Sequence, residues 1–177
     1  MPPGRGLDVA GIACRVFDTI VAHYDALDPD LLPPRRVIAP GESRSIAWDC
    51  DQFVLTFSGV GNGAAPGLQV QPRRQGNPIS SMGLRHAVYV AQIVRCVPEP
   101  DDAGQRPPKP ETLREAALHL MADAGLLSQA LIDVCTQVGD GLPKGTHCQA
   151  GAVETLGPLG GFAAVEGSIA VTAGTLV

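Results

Sequence analysis

Two carboxylates flank a cysteine in the stretch WDCDQ, and their spacing is the one best suited to chemistry in this chain. Asp49 and Asp51 lie two residues apart, so in an extended strand their side chains point to the same face. Paired carboxylates can bind a cation or act together as general acid and general base. An exposed edge at the beginning of a strand is the simpler explanation of the same pair. We therefore predict a surface pair and assign it no catalytic role.

The other motifs that carry chemistry are incomplete. The four histidines form none of the short-spaced pairs that bind zinc; they are His23, His86, His119 and His147. No GxSxG elbow surrounds Ser80 and Ser81. The segment GVGNG, Gly59 to Gly63, lacks the spacing of a dinucleotide or phosphate loop. The sequence therefore predicts no catalytic, cofactor-binding or metal-binding residues.

Five cysteines are scattered along the chain: Cys14, Cys50, Cys96, Cys135 and Cys148. Their number is odd, no CxxC pair occurs, and each lies among apolar or strand-forming residues. We predict that they are small buried apolar side chains rather than disulfides or metal ligands. A reducing compartment follows from that prediction.

Length and charge limit the class of protein. The chain has 177 residues and a mass of 18.3 kDa, enough for one domain with a hydrophobic core. Its net charge of −5 and pI near 5.2 argue against a dedicated nucleic-acid binder. No apolar run approaches the ~20 residues that span a bilayer, and the N-terminus lacks the layout of a secretory signal. We predict a soluble protein made in a cytoplasm.

Two stripes of apolar residues at helical spacing predict two helices. The first covers Leu7 to Leu27 and ends at Asp28, because the residue before a proline is driven out of the helical region. The second covers Pro110 to Val138, with proline at its first position. The apolar stripe of this second helix consists of Leu113, Ala117, Leu120, Ala124, Leu127, Leu131 and Val134.

Runs of β-forming residues predict four or five strands. The predicted strands are Ser43 to Trp48, Cys50 to Ser58, Arg85 to Pro98, and a hairpin of Cys148 to Leu156 with Phe162 to Val171. Leu31 to Pro40 is predicted to be an extended connector of polyproline type. Residues 59–83 and 99–109 are predicted long loops, and 1–6 and 172–177 flexible ends. The expected fold is one two-layer α+β domain over residues 1–177, with two helices packed on one face of a mixed or antiparallel sheet.

The strand predicted from Arg85 to Pro98 has no polar face. Alternate residues on both sides are mostly apolar, whereas a strand with one wet face would alternate apolar with polar residues. The two helices cover one of its faces. We predict that a neighbouring copy of the chain, or one of the long loops, lies against part of the other.

Several segments resemble one family. The run PPRRVIAPGESRSIAWDCDQFVLTF, the run VRCVPEPDDAGQRPPKPETLREAALHLMADAGLL and the C-terminal GPLGGFAAVEGSIAV resemble tail terminator proteins of siphophages that infect actinobacteria, a lambda-like tail terminator family. Together with the N-terminal helix they extend over most of the chain.

The resemblance implies a structural virion protein without enzymatic activity. Such subunits form a homohexameric ring that caps the tail tube, ends its polymerisation and joins it to the head connector. The implied partners are further copies of the chain, the major tail tube protein and head–tail connector proteins. DNA passes through the lumen without specific binding, and no membrane or cofactor takes part. The implied location is the head-proximal end of the virion tail, after assembly in the host cytoplasm.

Charged and aromatic residues of the strands and of the long loop are the candidate assembly interface. They are Arg73, Arg74, Arg85, Tyr89, Arg95, Asp49 and Asp51. Two other interpretations stay open. One is another head–tail joining or tail completion protein of similar fold. The other is a small cytoplasmic enzyme or ligand-binding domain that uses Asp49, Asp51 and the glycine-rich loop.

Overall fold

The computed structural model describes residues 8–40, 50–62, 84–100, 106–141, 146–159 and 161–174. Two helices and five strands occupy these ranges. In chain order they are α1 (Val9–Leu27), β1 (Arg35–Pro40), β2 (Gln52–Asn62), β3 (Leu84–Cys96), α2 (Pro110–Gly141), β4 (Thr146–Leu159) and β5 (Phe162–Gly174).

The five strands form one mixed sheet in the order β1-β2-β3-β5-β4. Only β1 and β2 run parallel; the other neighbouring strands are antiparallel. The strands β2 and β3, and likewise β4 and β5, follow each other in the chain and lie side by side. The predicted α+β fold, with helices packed on the sheet, is confirmed.

The first helix forms where the apolar spacing predicts it. The side chain of Asp8 caps its N-terminus by accepting a hydrogen bond from the backbone N–H of Gly11 at 2.9 Å. Its buried face includes Ile12, Val16 and Ile20, at four-residue steps. The helix ends at Asp28, as predicted from the proline that follows.

The core lies between the sheet and the two helices. Alternate residues of β3, among them Tyr89 and Ile93, join buried residues of both helices in one cluster. On β5, Gly167 keeps space for the helix, because a Cβ atom there would lie 2.6 Å from Cδ1 of Leu131. A close approach between α2 and the sheet therefore depends on the missing side chain at this position.

The opposite face of the sheet is also buried at its centre. Val54, Gln92 and Val94 are each at most 1% exposed, whereas Val88 and Val90 are half-buried. Gln92 donates a hydrogen bond to the carboxylate of Glu166 on β5. Both helices lie on the other face. The prediction that a neighbouring copy or a long loop lies against this one stays a prediction.

Three predictions about the strands need correction. Residues 172–174, predicted to belong to a flexible end, are the last residues of β5 and pair with β3. The segment predicted as a polyproline connector contains β1, whose residues pair in parallel with β2 from Arg35 opposite Gln52 onward. An extended chain with free backbone groups joins a sheet edge when one lies beside it, and local sequence does not show that edge. The second strand runs to Asn62, beyond the predicted Ser58, after an irregularity between Phe57 and Gly59. The strand predicted at 43–48 falls outside the described residues.

Candidate assembly surface

A polar cluster around Arg95 links four parts of the chain. The Nε and Nη2 groups of Arg95 donate to the two carboxylate oxygens of Asp123 at 2.8 and 3.0 Å, a bidentate pair. Nη2 also donates to the backbone carbonyl of Leu31, and Nη1 lies 3.7 Å from Oδ1 of Asp51. Strand β3 is thereby tied to α2, to the turn before β1 and to the residue before β2.

The pair of Arg95 and Asp123 is largely shielded from solvent. The side chain of Asp123 is 5% exposed and that of Arg95 is 21% exposed. Burial lowers the pKa of the Arg95 guanidinium, but the hydrogen bond to Asp123 and the charges of Asp123 and Asp51 outweigh it, so the pKa lies above its ordinary value. The Tyr24 hydroxyl donates to the backbone carbonyl of Asp123 at 3.4 Å, and burial raises its pKa well above its ordinary value. The cluster therefore holds α2 in place.

Four of the seven residues predicted to form an assembly interface lie among the described residues: Arg85, Tyr89, Arg95 and Asp51. The prediction is wrong for Tyr89, which is 1% exposed and donates from its hydroxyl to the carbonyl of Val9 at 2.8 Å. Arg95 uses its donors within the chain. Arg85 is exposed on β3. Asp49, Arg73 and Arg74 lie outside the described residues.

Asp51 lies before β2 and not within it. The prediction that Asp49 and Asp51 point to the same face of a strand therefore does not hold for Asp51. Its side chain is 54% exposed, and its φ of 51° is a left-handed conformation that aspartate tolerates better than most residues. The residue marks the point where the chain turns into the sheet. Its carboxylate faces Arg95, so the candidate cation or acid–base residue is part of an intramolecular ion pair.

One histidine has a partner of the type used in catalysis. Nδ1 of His23 lies 2.8 Å from Oδ2 of Asp133, which joins α1 to α2, and Nε2 of His23 is buried without a hydrogen-bond partner. A shallow groove of about 290 Å³ lies beside the pair, lined by Thr19, Ala22, His23, Ala26, Leu27 and Gln137. A base in this position would require an activated nucleophile within reach. The lining offers only a threonine hydroxyl and an amide, so we assign the pair to helix packing.

Metal-binding clusters are not formed in the part of the chain that the structure describes. There, no three His, Cys, Asp or Glu side chains come together as ligands. His119 and His147 are exposed on different elements, and the ring of His86 lies over Gly61 of the paired strand β2.

Four of the five cysteines are paired, which contradicts the sequence prediction. Cys50 is bonded to Cys96 and Cys135 to Cys148, with Cα atoms 5.0 Å apart in each pair, within the usual range for disulfides. Cys14 is exposed and unpaired. The members of each pair are 46 and 13 residues apart in the chain, so their contact arises only from strand pairing and from the packing of α2 on β4.

The two halves of α2 differ in burial. We call Pro110–Ala122 the exposed half, because every side chain there is exposed or half-buried. Leu113, Leu118 and Met121 are 45%, 53% and 67% exposed. The following residues form the packed half, whose buried side chains are Asp123, Leu127, Ala130, Leu131 and Val134.

Sequence reasoning missed part of this surface. The predicted stripe contained Leu113 and Leu120 but neither Leu118 nor Met121, nor Ile132, which is 51% exposed. Leu118 and Met121 are three residues apart, and Gly125 follows after four, so a second apolar side accompanies the first. That second repeat was the available signal.

By length and composition, α2 is the one helix among the described residues that meets the criterion for spanning a membrane. Its packed half lies against α1, β4 and β5 and contains the buried Asp123. These contacts place that half within the folded domain. The exposed half differs, because its large apolar side chains Leu113, Leu118 and Met121 stay exposed in the folded domain.

Comparison with protein-family models and with curated proteins finds no match for this chain.

Proposed function

We propose that this protein is a structural subunit of a phage tail, a tail terminator that assembles into a ring. In this role it caps the tail tube, ends tube polymerisation and joins the tail to the head connector. The resemblance of its segments to siphophage tail terminators nominates the family. The observation that carries an assembly role is the exposed half of α2.

The exposed half continues the apolar stripe of the packed half. Leu113 stands on the same side of the helix as Leu127 and Leu131, which are buried against the sheet, and the exposed Leu118 and Met121 lie beside this stripe. A helical segment of about 13 residues is marginal in water without packing partners. Each apolar Å² that a partner removes from water contributes about 25 cal/mol. A partner surface that covers Leu113, Leu118 and Met121 would bind there and would stabilise the helix.

A second copy of the chain fits this surface better than a lipid bilayer does. Helices that lie on membranes are typically rich in Lys and Arg on their polar side. The exposed half has Arg114 as its only basic residue apart from His119, beside the acidic Glu111 and Glu115. Charges of both signs around a limited apolar patch are typical of a protein–protein interface.

A ring requires two different surfaces on each copy. If the exposed half of one subunit packs against a different surface of the next, the contact is heterologous. Repeated contacts of this kind close into a ring when the rotation between neighbouring subunits permits. The hexameric number, the partners above and below the ring, and the passage of DNA through it come from the family resemblance. The net charge of −5 suits a channel through which DNA slides, because basic linings bind phosphate.

The test replaces apolar residues of the exposed half by charges. The double variant Leu118→Glu with Met121→Glu is compared with Ser128→Glu, which places a charge on an exposed position of the packed half. Light scattering with mass determination measures assembly, and thermal unfolding checks the fold. We expect the natural chain and Ser128→Glu to assemble and the double variant to be a monomer, with the melting temperature that the natural chain shows at concentrations too low for assembly.

Addition of purified tail tube protein tests the terminator role itself. Tube lengths in electron micrographs should become short and uniform with the natural chain and stay long with the double variant. A chain that forms rings without changing tube length is another head–tail joining protein. A chain that stays monomeric with tube protein present contradicts the assembly role. Flotation with phosphatidylcholine and phosphatidylglycerol vesicles that the double variant abolishes would identify a lipid-binding helix instead.

A further inference from the structure

The two cysteine pairs lie at different junctions of the fold. Cys50 precedes β2 and Cys96 ends β3, so their bond closes the end of the pair formed by these strands. Cys135 lies in the packed half of α2 and Cys148 near the beginning of β4, so their bond joins the helix layer to the sheet. Only Cys14 is left without a partner.

We propose that the two pairs are redox-controlled clasps, open as dithiols while the chain folds in a reducing cytoplasm and closed as disulfides after transfer to oxidising surroundings. The fold brings four of the five thiols into bonding geometry, and the proposed function implies synthesis in a host cytoplasm, where thiols stay reduced. The two agree if the fold positions the thiols first and oxidation follows. Until oxidation, the hydrophobic core and the Arg95 cluster keep the reduced chain folded.

Closure requires an oxidant, which we take to be a low-molecular-weight disulfide of the glutathione type. One thiolate of a pair attacks a sulfur of this disulfide, forms a mixed disulfide and releases one small thiol. The second thiolate then attacks the protein sulfur and releases the other small thiol. The protein pair loses two electrons and two protons, and the small disulfide gains them.

The clasp at Cys50 acts next to the Arg95 cluster. Asp51 follows Cys50 directly and Arg95 precedes Cys96, so the disulfide and the ion pair of Asp51 with Arg95 hold the same two chain segments. The ion pair is partly exposed and contributes little by itself. The covalent bond therefore fixes the entry to β2 more strongly than the charges do.

The second clasp fixes the C-terminal part of the packed half of α2. Cys135 is adjacent to the buried Val134, and Cys148 pairs with Val171 across the sheet. The exposed half of the helix, at the other end, carries no cysteine. Oxidation therefore anchors the end of α2 that packs in the core and leaves the proposed assembly surface unchanged.

The timing of closure rests on the proposed function, because a virion leaves the host cytoplasm after assembly. The thiol chemistry itself does not depend on that function. A chain that closes both clasps and never forms a ring would contradict the terminator role and leave the clasps established. A chain that forms rings with all thiols reduced and unreactive towards oxidants would do the opposite.

The experiment uses the full chain, first reduced with dithiothreitol and then incubated with oxidised glutathione. Thiols are counted by alkylation in denaturant, and bonded peptides are identified by mass spectrometry without reduction. The variants Cys96→Ser and Cys148→Ser each open one clasp, and Cys14→Ser is the matched control that opens none. Melting temperatures are measured for both redox states of each variant.

We expect alkylation to find all five cysteines in the reduced chain; in the oxidised chain only Cys14 should be outside the two bonds, as a thiol or as a mixed disulfide with glutathione. Closure of both clasps should raise the melting temperature by on the order of 10 °C. Cys96→Ser should lose the larger share of this rise, because the bond of Cys50 with Cys96 closes the longer loop. Cys14→Ser should behave as the natural chain does. Three outcomes would each overturn the proposal: five reactive thiols after oxidation, a bond between Cys14 and another cysteine of the chain, or equal melting temperatures for the oxidised and the reduced chain.

Discussion

The exposed and packed halves of α2 are one continuous helix in two environments. In the packed half, Leu127 and Leu131 are at most 1% exposed, while Leu113 and Leu118 in the other half are about half exposed. The change from exposed to buried side chains occurs at Asp123, whose carboxylate accepts two hydrogen bonds from Arg95. Helical periodicity is the same on both sides of this residue, so the difference comes from what lies beside the helix.

An apolar stripe on a helix indicates that this side must be buried, but it does not indicate which surface buries it. The sheet and α1 supply it for the packed half. In the exposed half only Leu120 packs against the core cluster, and Leu113, Leu118 and Met121 stay exposed. A single helix can therefore serve the subunit's stability at one end and, as we propose, its assembly at the other.

The largest expected effect is at the boundary between the halves. Arg95→Met keeps much of the apolar stem but leaves the Asp123 carboxylate buried without its cation. We expect the free energy of unfolding to fall by about 3–5 kcal/mol, measured from urea denaturation. Asp51→Asn, which alters only the longer and more exposed contact of Arg95, should change it by less than about 1 kcal/mol. Equal losses in both variants would show that Asp123 is not the partner that matters.

A matched pair of truncations compares the halves directly. Leu131→Ala should lower the free energy of unfolding by about 2–5 kcal/mol, because it leaves a cavity between α2 and β5. Leu118→Ala in the exposed half should change that of the monomer by no more than about 0.5 kcal/mol. Both values come from chemical denaturation below the concentration at which the chain assembles. A large loss in Leu118→Ala would mean that the exposed half is packed within the monomer.

The smallest expected effect is a gain just beyond the boundary. Gly125 is exposed, and an added Cβ atom would have no atom within 4 Å. Gly125→Ala should therefore raise the free energy of unfolding by up to about 1 kcal/mol through helix propensity. Gly167→Ala is the contrasting change, since its Cβ atom would meet Leu131, and we expect a loss there. If Gly125→Ala also destabilises the chain, the helix must bend or be covered at this point.

Most of the secondary structure could be predicted from local patterns. The predicted beginning of α2 at Pro110 and the end of α1 at Leu27 agree with the structure, because prolines and apolar spacing act within a few residues. The C-terminal hairpin follows from its glycine-rich turn. Strand β1 was missed, because its stability comes from pairing with β2 and its own sequence resembles a connector.

The candidate site was predicted less well, for a related reason. Arg95 and Tyr89 were selected as surface residues from their positions in a strand, but their partners Asp123 and Val9 lie 28 and 80 residues away. Contacts over such distances depend on how the helices settle on the sheet. The same holds for the cysteines, whose pairing no spacing rule indicated.

The sequence by itself determined the two helices, the long apolar strand and the fold class, because turn residues and apolar periodicity act locally. Only the tertiary structure decided which stripe is covered, which charges meet and which thiols are bonded. The exposure of the exposed half of α2 was likewise decided only by the tertiary structure. Its exposure depends on where the packing of α1 and the sheet against the helix ends.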